Sequence, residues 1–275
     1  MPFTVYNSGY TLNNLTCTKN VDIYFDTEEY HPNPTALKIY VQREPDMIHQ
    51  CYDYLQNNSD KYDLIFCYDP SRLSGVKNAH SVIVAGTWIE PGFYQFIDIS
   101  KKSFSISNIT GWKTGCLAYH LRHLLYQNQQ AFQQFPITFY RSSAHIIIPE
   151  ITTNPLIPKE PLSSKYILFE KHQFSIVIEN TREKNYFSEK LMDCLITKTI
   201  PIYYGCQNIG DYFNTEGWIL LKDEQNFLQE LYTQLQILND TYYMKYYPIV
   251  EENYETAVLL ANEQTNLENR LRPFL

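Results

Sequence analysis

Residues 174–205 read FSIVIENTREKNYFSEKLMDCLITKTIPIYYG, and this segment is the most informative for the fold. It begins with a largely apolar run, residues 174–178, which is typical of a strand covered on both faces of a parallel sheet. A polar loop follows, and the next residues predict a helix over 188–197 and a second apolar strand over 200–204 that ends at Gly205. Because strand, helix and strand follow in this order, the sequence predicts an α/β protein with parallel sheets.

The start of the predicted helix indicates an anion site. It follows the carboxyl end of a buried strand, which is where α/β folds bind their ligands. Ser188 can cap the helix, and the remaining free N–H groups together with the helix dipole favour a phosphate. Lys190 adds a full positive charge that runs against the dipole unless an anion is bound. The alternative is that Glu189 and Lys190 are solvated first-turn residues, and their spacing alone does not separate the two interpretations.

The rest of the chain continues the alternation of strands and helices. Strands are predicted over residues 21–25, 37–41, 63–67, 81–84, 103–107 and 219–221. Helix faces at three-and-four spacing are predicted at Met47, Ile48, Cys51, Tyr54 and Leu55; at Leu117, Leu121, Leu124 and Leu125; and at Phe227, Leu228, Leu231, Leu235 and Leu238. A last helix is predicted over residues 251–270.

Composition and charge exclude several classes of function. The 275 residues carry a formal net charge of −8 without a dense run of Lys and Arg, so a nucleic-acid partner is not expected. The amino-terminal residues lack the pattern of a signal peptide, and no stretch approaches the roughly 20 apolar residues of a transmembrane segment. The six cysteines show no metal-binding spacing and are interpreted as free thiols, which favours a reducing, cytoplasmic location.

Residues 174–205 resemble the donor-binding signature of the α1,3-fucosyltransferases, glycosyltransferase family 10. That signature is an apolar strand ending in Glu-Asn, an aromatic residue, Thr or Ser, Glu-Lys, a helix, and an apolar-Pro-apolar strand ending in Gly. The resemblance covers about 30 residues in order and spacing, and here Ser188 stands where Thr is usual. It implies a GT-B fold, with two Rossmann-like domains and the active site in the cleft between them.

The same resemblance implies the roles of five donor-binding residues. Lys190 would contact the diphosphate of a nucleotide sugar, and Glu189 its ribose or sugar hydroxyls. Asn180, Tyr186 and Ser188 would line the same pocket.

A weaker match concerns a cation that neutralises the diphosphate. In the family a Ser-Asn strand end precedes an Arg that begins a helix, and Ser107-Asn108 followed by Arg122 resembles this arrangement. The gap is longer than usual, so Lys113 is a rival, and Arg122 could instead be a surface residue of its helix.

This match also implies the domain limits. It places the start of the donor-binding domain near Lys101, although a cluster of prolines at positions 149, 155, 158 and 161 would by composition mark a boundary. The expected domains are residues 1–99 for the acceptor, 100–250 for the donor, and a carboxyl-terminal helix, residues 251–275, that packs back across them.

An inverting transferase needs a general base to remove the proton of the acceptor hydroxyl. Residues 39–45 resemble the family segment in which a strand ends in Gly-Glu and that Glu is the base. Glu44 is therefore the candidate, with Arg43 in place of the Gly, and Asp69 and Glu90 are held in reserve. An exposed carboxylate at a helix start is the alternative interpretation of Glu44.

The function expected from these residues is an inverting, metal-independent transfer of L-fucose from GDP-fucose to a glycan. No Asp-x-Asp pair occurs in the sequence, so a divalent ion at the diphosphate is not expected and no metal site is predicted. Two alternatives stay open, which are the same fold with another donor such as UDP-xylose and a non-catalytic sugar-binding module.

Overall fold

The computed structural model describes residues 3–10, 12, 14–111, 113–143, 146–151 and 165–275. The chain divides into two compact units. The first unit comprises Met1–Val84, Glu183–Tyr186 and Asn262–Leu275, and the second comprises Ala85–Arg182 and Phe187–Ala261.

The secondary structure alternates as the sequence predicts. The strands are β1 Phe3–Tyr6, β2 Asn20–Phe25, β3 Ala36–Val41, β4 Leu64–Cys67, β5 Ala79–Ser81, β6 Ser103–Thr110, β7 Ile137–Ser143, β8 Ile146–Ile151, β9 His172–Ile178, β10 Ile200–Tyr204 and β11 Ile219–Leu220. The helices are α1 Asp46–His49, α2 Cys51–Asn58, α3 Pro91–Tyr94, α4 Leu117–Gln127, α5 Ile167–Glu170, α6 Glu189–Ile196, α7 Phe227–Leu235, α8 Tyr242–Lys245, α9 Tyr247–Leu260 and α10 Glu263–Leu271.

The first unit is built on a parallel sheet. Within its described residues the strand order is β1-β2-β3-β4-β5, and every neighbouring pair is parallel. One face packs on apolar side chains that include Leu267 and Leu271 of α10. The predicted strand over 81–84 lies two residues earlier, at Ala79–Ser81, although the backbone N–H of Val82 still donates to the carbonyl of Cys67 at 3.0 Å.

The second unit is also built on a mainly parallel sheet. Its order within the described residues is β11-β10-β9-β6-β7-β8, and the β7–β8 pair is the antiparallel one. β9 lies between β6 and β10, and all seven of its residues are buried, as the largely apolar run over residues 174–178 predicts. Of the proline cluster, Pro149 lies in β8, whereas Pro155, Pro158 and Pro161 lie outside the described residues.

Two predicted helices are each divided in two. Gln50 has a left-handed backbone (φ 46°) and separates α1 from α2, so Met47 and Ile48 do not share a buried face with Cys51 and are exposed. The single helix predicted over residues 251–270 is also wrong, because this segment forms two helices. α9 ends at Leu260, and the side chain of Asn262 caps α10 by accepting a hydrogen bond from the backbone N–H of Thr265 at 2.9 Å.

The apolar face of α4 is rotated from the predicted one. Leu117 and Leu124 are exposed, while Leu121 and Leu125 are buried together with Arg122. The predicted alternative that Arg122 is a surface residue of its helix is therefore wrong.

Candidate active site

The site in the second unit begins with a buried carboxylate at the end of β9. Glu179 is fully buried, and its backbone N–H extends the ladder by donating to the carbonyl of Tyr204 at 2.8 Å. Its carboxylate accepts hydrogen bonds from the backbone N–H of Ser188 at 2.9 Å and from the Ser188 hydroxyl at 2.6 Å. Burial raises the pKa of Glu179, while Lys190 and the bonds from Ser188 act in the opposite direction. Glu179 thus fixes the residue at which α6 begins.

Ser188 caps α6, as the sequence predicts. Its hydroxyl oxygen accepts from the backbone N–H of Lys190 at 3.4 Å and from the Lys190 ammonium at 3.1 Å. The ammonium also lies 3.0 Å from Oε1 of Glu189. The positive charge therefore lies over the first turn of the helix, where the helix dipole favours an anion.

Glu189 is held between two lysines. Besides Lys190, the ammonium of Lys165 lies 3.8 Å from its carboxylate. Burial alone would raise the pKa of Glu189, but the two lysines and the hydrogen bonds lower it to about 2. Glu189 is consequently ionised at neutral pH and can accept hydrogen bonds from hydroxyl groups.

Arg122 reaches the end of β9 from α4. Its Nε donates to the carbonyl of Ile178 at 3.0 Å, and its Nη2 donates to the same carbonyl and to Oδ1 of Asn180 at 3.2 Å. Burial lowers the pKa of Arg122, because loss of water disfavours the charged guanidinium, and nearby Glu179 partly offsets this. Arg122 and Asn180, both predicted site residues, are thus in direct contact.

The glycine that ends the signature is required by close packing. A Cβ atom at Gly205 would lie 2.4 Å from the hydroxyl oxygen of Tyr203 and 2.5 Å from Cγ of Glu179. Atoms cannot approach so closely, so any side chain at position 205 would displace the carboxylate that holds Ser188.

The remaining predicted donor residues lie elsewhere. Tyr186 is buried in the first unit, where its ring packs edge-on against Tyr68 at 5.3 Å between centroids. Lys113 is exposed in the second unit, and its backbone carbonyl hydrogen-bonds with His123 at 2.9 Å. The Lys113 ammonium makes no hydrogen bond to the part of the chain that the structure describes.

The predicted base and its reserves are in different surroundings. Glu44 is half-buried in the first unit, and its backbone N–H donates to Oδ2 of Asp26 at 3.0 Å. Asp69 accepts hydrogen bonds from the backbone and hydroxyl of Ser71, as a turn carboxylate does. Glu90 lies in the second unit, at the start of α3, and is exposed.

Three charged residues at these sites are not evident from the sequence. Lys165 bonds to Asp193 of α6 at 2.6 Å as well as approaching Glu189, and the other oxygen of Asp193 accepts from Thr87 and from the backbone of Trp88. Asp26 accepts from the loop that carries Glu44. None of these contacts follows from local periodicity, because each joins segments that are distant in sequence.

The described residues hold neither a candidate metal centre nor a candidate membrane span. Across the described residues, no group of three or more His, Cys, Asp or Glu side chains could hold a metal ion. None of the described helices combines the length and apolar character needed to cross a membrane.

Comparison with known proteins agrees with this architecture. The family model described as glycosyltransferase family 10 (fucosyltransferase), carboxyl-terminal part, matches residues 117–270, which is more than half of the chain. The Helicobacter pylori alpha-(1,3)-fucosyltransferase FucT is 30% identical over 66 residues, which are 24% of this chain and 14% of the length of that relative.

Solved structures are similar over most of the chain. A crystal structure of an alpha1,3-fucosyltransferase with GDP is 15% identical, with a TM-score of 0.52 over 92% of this chain and 78% of the other. A mutant of S. aureus TarM, in complex with fondaparinux, alpha-GlcNAc-glycerol and UDP, is 12% identical, with a TM-score of 0.51 over 92% of this chain and 55% of the other.

The protein therefore has the GT-B fold, an α/β fold with two units built on mainly parallel sheets. Since the family model covers more than half of the residues, the chain belongs to glycosyltransferase family 10, the fucosyltransferases.

Proposed function

We propose that this chain transfers L-fucose from GDP-fucose to a glycan hydroxyl, with inversion at the anomeric carbon and without a metal ion. The observation that carries the proposal is the start of α6, where the Lys190 ammonium and a helix N-terminus lie beside the ionised carboxylate of Glu189. A cation at the positive end of a helix dipole suits a diphosphate, and a carboxylate suits sugar or ribose hydroxyls.

The proposed contacts to the nucleotide-sugar donor are mainly electrostatic. Within the second unit, Lys190 contacts the diphosphate, Glu189 the hydroxyls, and Asn180 and Ser188 line the pocket. Tyr186 of the first unit stays a predicted donor residue. Nε and Nη2 of Arg122 donate hydrogen bonds to Ile178 and Asn180. Nη1 makes no hydrogen bond within the described residues, and it is the nitrogen that would donate to a phosphate. Preorganised cations of this kind stabilise the charge that develops on a leaving diphosphate.

The proposed reaction is a single displacement. The Glu44 carboxylate removes the proton of the acceptor hydroxyl as that oxygen forms a bond to the anomeric carbon. The bond from the anomeric carbon to the diphosphate oxygen breaks, and GDP leaves with the electron pair of that bond. Residues 1–99 would supply the acceptor site and residues 100–250 the donor site.

Two other functions make different predictions. A transferase that uses UDP-xylose would keep the same diphosphate contacts, because all such donors share the diphosphate. A sugar-binding module would bind a nucleotide sugar or glycan without transferring anything.

The test is a panel of GDP- and UDP-sugars in the presence of EDTA. Thermal unfolding measures binding, and a donor at 100 times its Kd should add about 2.7 kcal/mol to the free energy of unfolding. Mass spectrometry and NMR of a glycan acceptor measure transfer and the configuration of the new linkage. We expect GDP-fucose to stabilise most and to be transferred with inversion. Preference for UDP-sugars would overturn GDP-fucose as the donor. Activity that requires an added metal ion would overturn the metal-independent mechanism. Binding without transfer would indicate a non-catalytic sugar-binding module.

A further inference from the structure

The two residues Arg43 and Glu44 are held by side chains at every backbone polar group. The carboxylate of Asp26 accepts from the N–H of Arg43 at 2.9 Å and from the N–H of Glu44 at 3.0 Å. The hydroxyl of Tyr68 donates to the carbonyl of Arg43, and Nε2 of Gln42 donates to the carbonyl of Glu44 at 3.2 Å. We call Asp26, Gln42 and Tyr68 the cradle.

The cradle comes from three neighbouring strands of the first sheet. Asp26 follows β2, Gln42 follows β3 and Tyr68 follows β4, so the carboxyl ends of all three converge on this loop. Asp26 itself has a left-handed backbone (φ 41°), a conformation that a non-glycine residue adopts only at some cost.

The members of the cradle are themselves fixed. Gln42 is fully buried, and its Oε1 accepts from the backbone N–H of Tyr68 at 3.1 Å. Tyr68 is also buried, its carbonyl accepts from Nδ2 of Asn185 at 2.7 Å, and its ring packs on Tyr186. Within the first unit, Tyr68 therefore contacts both the loop that carries the proposed base Glu44 and the predicted donor residue Tyr186.

An ordinary strand-to-helix connection does not need such a device. Backbone groups of a surface loop are satisfied by water, at little cost. Here a half-buried carboxylate accepts from them instead, and its partial burial raises the pKa of Asp26 to about 6 even though the N–H groups of Arg43 and Glu44 lower it. A costly arrangement that fixes only two residues indicates that the position of one of them matters.

We propose that Asp26 is a positioning residue for Glu44: its ionised carboxylate, with Gln42 and Tyr68, fixes the backbone from which the Glu44 side chain meets the acceptor hydroxyl. This inference rests on the proposed function, in which Glu44 is the base. It predicts that the chemical step depends on the charge of Asp26, although Asp26 does not touch the reacting atoms.

The charge of Asp26 is set within the first unit. The side chains that interact with it electrostatically are Arg43 and Glu44 of the loop, His49 of α1, Cys51 of α2, Tyr40 of β3, and Tyr68. As the pH falls through about 6, Asp26 gains a proton and one of the two N–H groups loses its acceptor. We therefore expect kcat to fall on the acid side with an apparent pKa near 6.

The test is kinetic and uses the full chain with GDP-fucose and a glycan acceptor. In Asp26→Asn, the side chain keeps one acceptor oxygen and turns an NH₂ group toward the second N–H. We expect kcat to fall about 10- to 100-fold, as misplacement by about 1 Å does. The KM for GDP-fucose should change less than twofold. The acid limb should no longer lie near pH 6, although an acid limb remains because Glu44 must be unprotonated to act as the base.

Three further variants separate positioning from stability. Tyr68→Phe removes only the bond to Arg43 and keeps the ring on Tyr186, so kcat should fall while the acid limb stays. Tyr52→Phe is the matched control, because its hydroxyl accepts from the backbone of Asp69 at 2.7 Å outside the cradle, and its kcat should not change. His49→Gln should leave the acid limb in place, and loss of the limb in this variant would overturn the assignment to Asp26.

Failure of the inference is distinguishable from failure of the proposed function. If Glu44→Gln abolishes transfer while Asp26→Asn and Tyr68→Phe keep the kcat and pH profile of the unaltered chain, only the positioning role is overturned. If Glu44→Gln transfers normally and Asp26→Asn does not, Asp26 is the base and both proposals fail. Thermal unfolding of each variant shows whether a lost kcat reflects loss of folded protein. If Asp26→Asn does not fold, the kcat of Tyr68→Phe decides whether the positioning role stands.

Discussion

The two sheets use the same device at their carboxyl ends. In the second unit, Glu179 follows β9 and accepts hydrogen bonds from the backbone and hydroxyl of Ser188. In the first unit, Asp26 follows β2 and accepts hydrogen bonds from the backbones of Arg43 and Glu44. In each case a carboxylate, fully buried in Glu179 and half-buried in Asp26, fixes the start of the segment that carries a proposed functional residue.

The two ends differ in the charge they present. The segment fixed by Glu179 carries the cation Lys190, with Arg122 and Lys165 nearby. The segment fixed by Asp26 carries the carboxylate Glu44. Cations and helix N–H groups suit a diphosphate, and a carboxylate suits the removal of a proton. The same structural device thus supports two different chemical roles.

The largest expected effect is on the first unit, in Glu44→Gln. Loss of a general base costs about 10²- to 10⁴-fold in kcat. Donor affinity should not change, because Glu44 is assigned to the acceptor and not to the diphosphate. Steady-state kinetics and binding of GDP-fucose check both statements.

Asp69→Asn is the companion variant for Glu44→Gln. Asp69 also follows a strand of the first sheet, but its carboxylate is occupied by Ser71. We expect normal kcat. The opposite pattern, with Asp69→Asn inactive and Glu44→Gln active, would move the base to Asp69.

The next effect concerns Arg122 in the second unit. Arg122→Met leaves the carbonyl of Ile178 and Oδ1 of Asn180 without their donor, which costs about 1–3 kcal/mol of unfolding free energy. Arg122→Lys keeps the charge but not the fork, so it should lower stability nearly as much while weakening GDP binding less. Equal GDP affinity in both variants and the unaltered chain, measured by calorimetry, would limit Arg122 to a structural role.

An effect of similar size on stability is expected at the glycine beside Glu179. Gly205→Ala forces Tyr203 or Glu179 to move, at a cost of about 1–3 kcal/mol. Gly210→Ala is the matched control, since a Cβ atom at Gly210 meets nothing within 4 Å. Chemical denaturation measures the difference, and equal stability of the two variants would show that the packing around Glu179 is not as described.

The smallest effect is at the helix cap. Ser188→Ala should lower the free energy of unfolding by about 1 kcal/mol, the usual value of an N-cap. Ser188→Thr keeps the hydroxyl and should be close to neutral, as the usual residue of the family signature suggests. A thermal midpoint that is lower in Thr than in Ala would contradict the capping role.

Most strands and the βαβ unit could be predicted because their signals are local. β9 is buried along its whole length, its residues 174–178 form a largely apolar run, and Ser188 carries its own capping signal. The helix breaks at Gln50 and Asn262 were missed, since an isolated left-handed residue or an Asn cap inside a periodic pattern gives little warning.

The contacts around the sites could not be predicted, because they depend on tertiary structure. Arg122 interrupts an apolar face with a charge, and it is buried only because the end of β9 offers it acceptors. Lys165 and Asp26 lie 24 and 18 residues from their partners Glu189 and Glu44, and no periodicity connects them. The family resemblance indicates which residues form the candidate sites, but it does not indicate which contacts fix their positions.

The central claim is that the start of α6 binds a diphosphate through Lys190. Calorimetric titration with GDP and with GMP, in the presence of EDTA, tests this claim directly. A charged contact to the second phosphate is worth about 1.5–3 kcal/mol, so GDP should bind the unaltered chain about 10- to 150-fold more tightly than GMP. In Lys190→Met this difference should largely disappear, while Lys222→Met, a change at an exposed lysine, should keep it. Equal affinities for GDP and GMP in the unaltered chain, or an unchanged preference for GDP in Lys190→Met, would contradict the account.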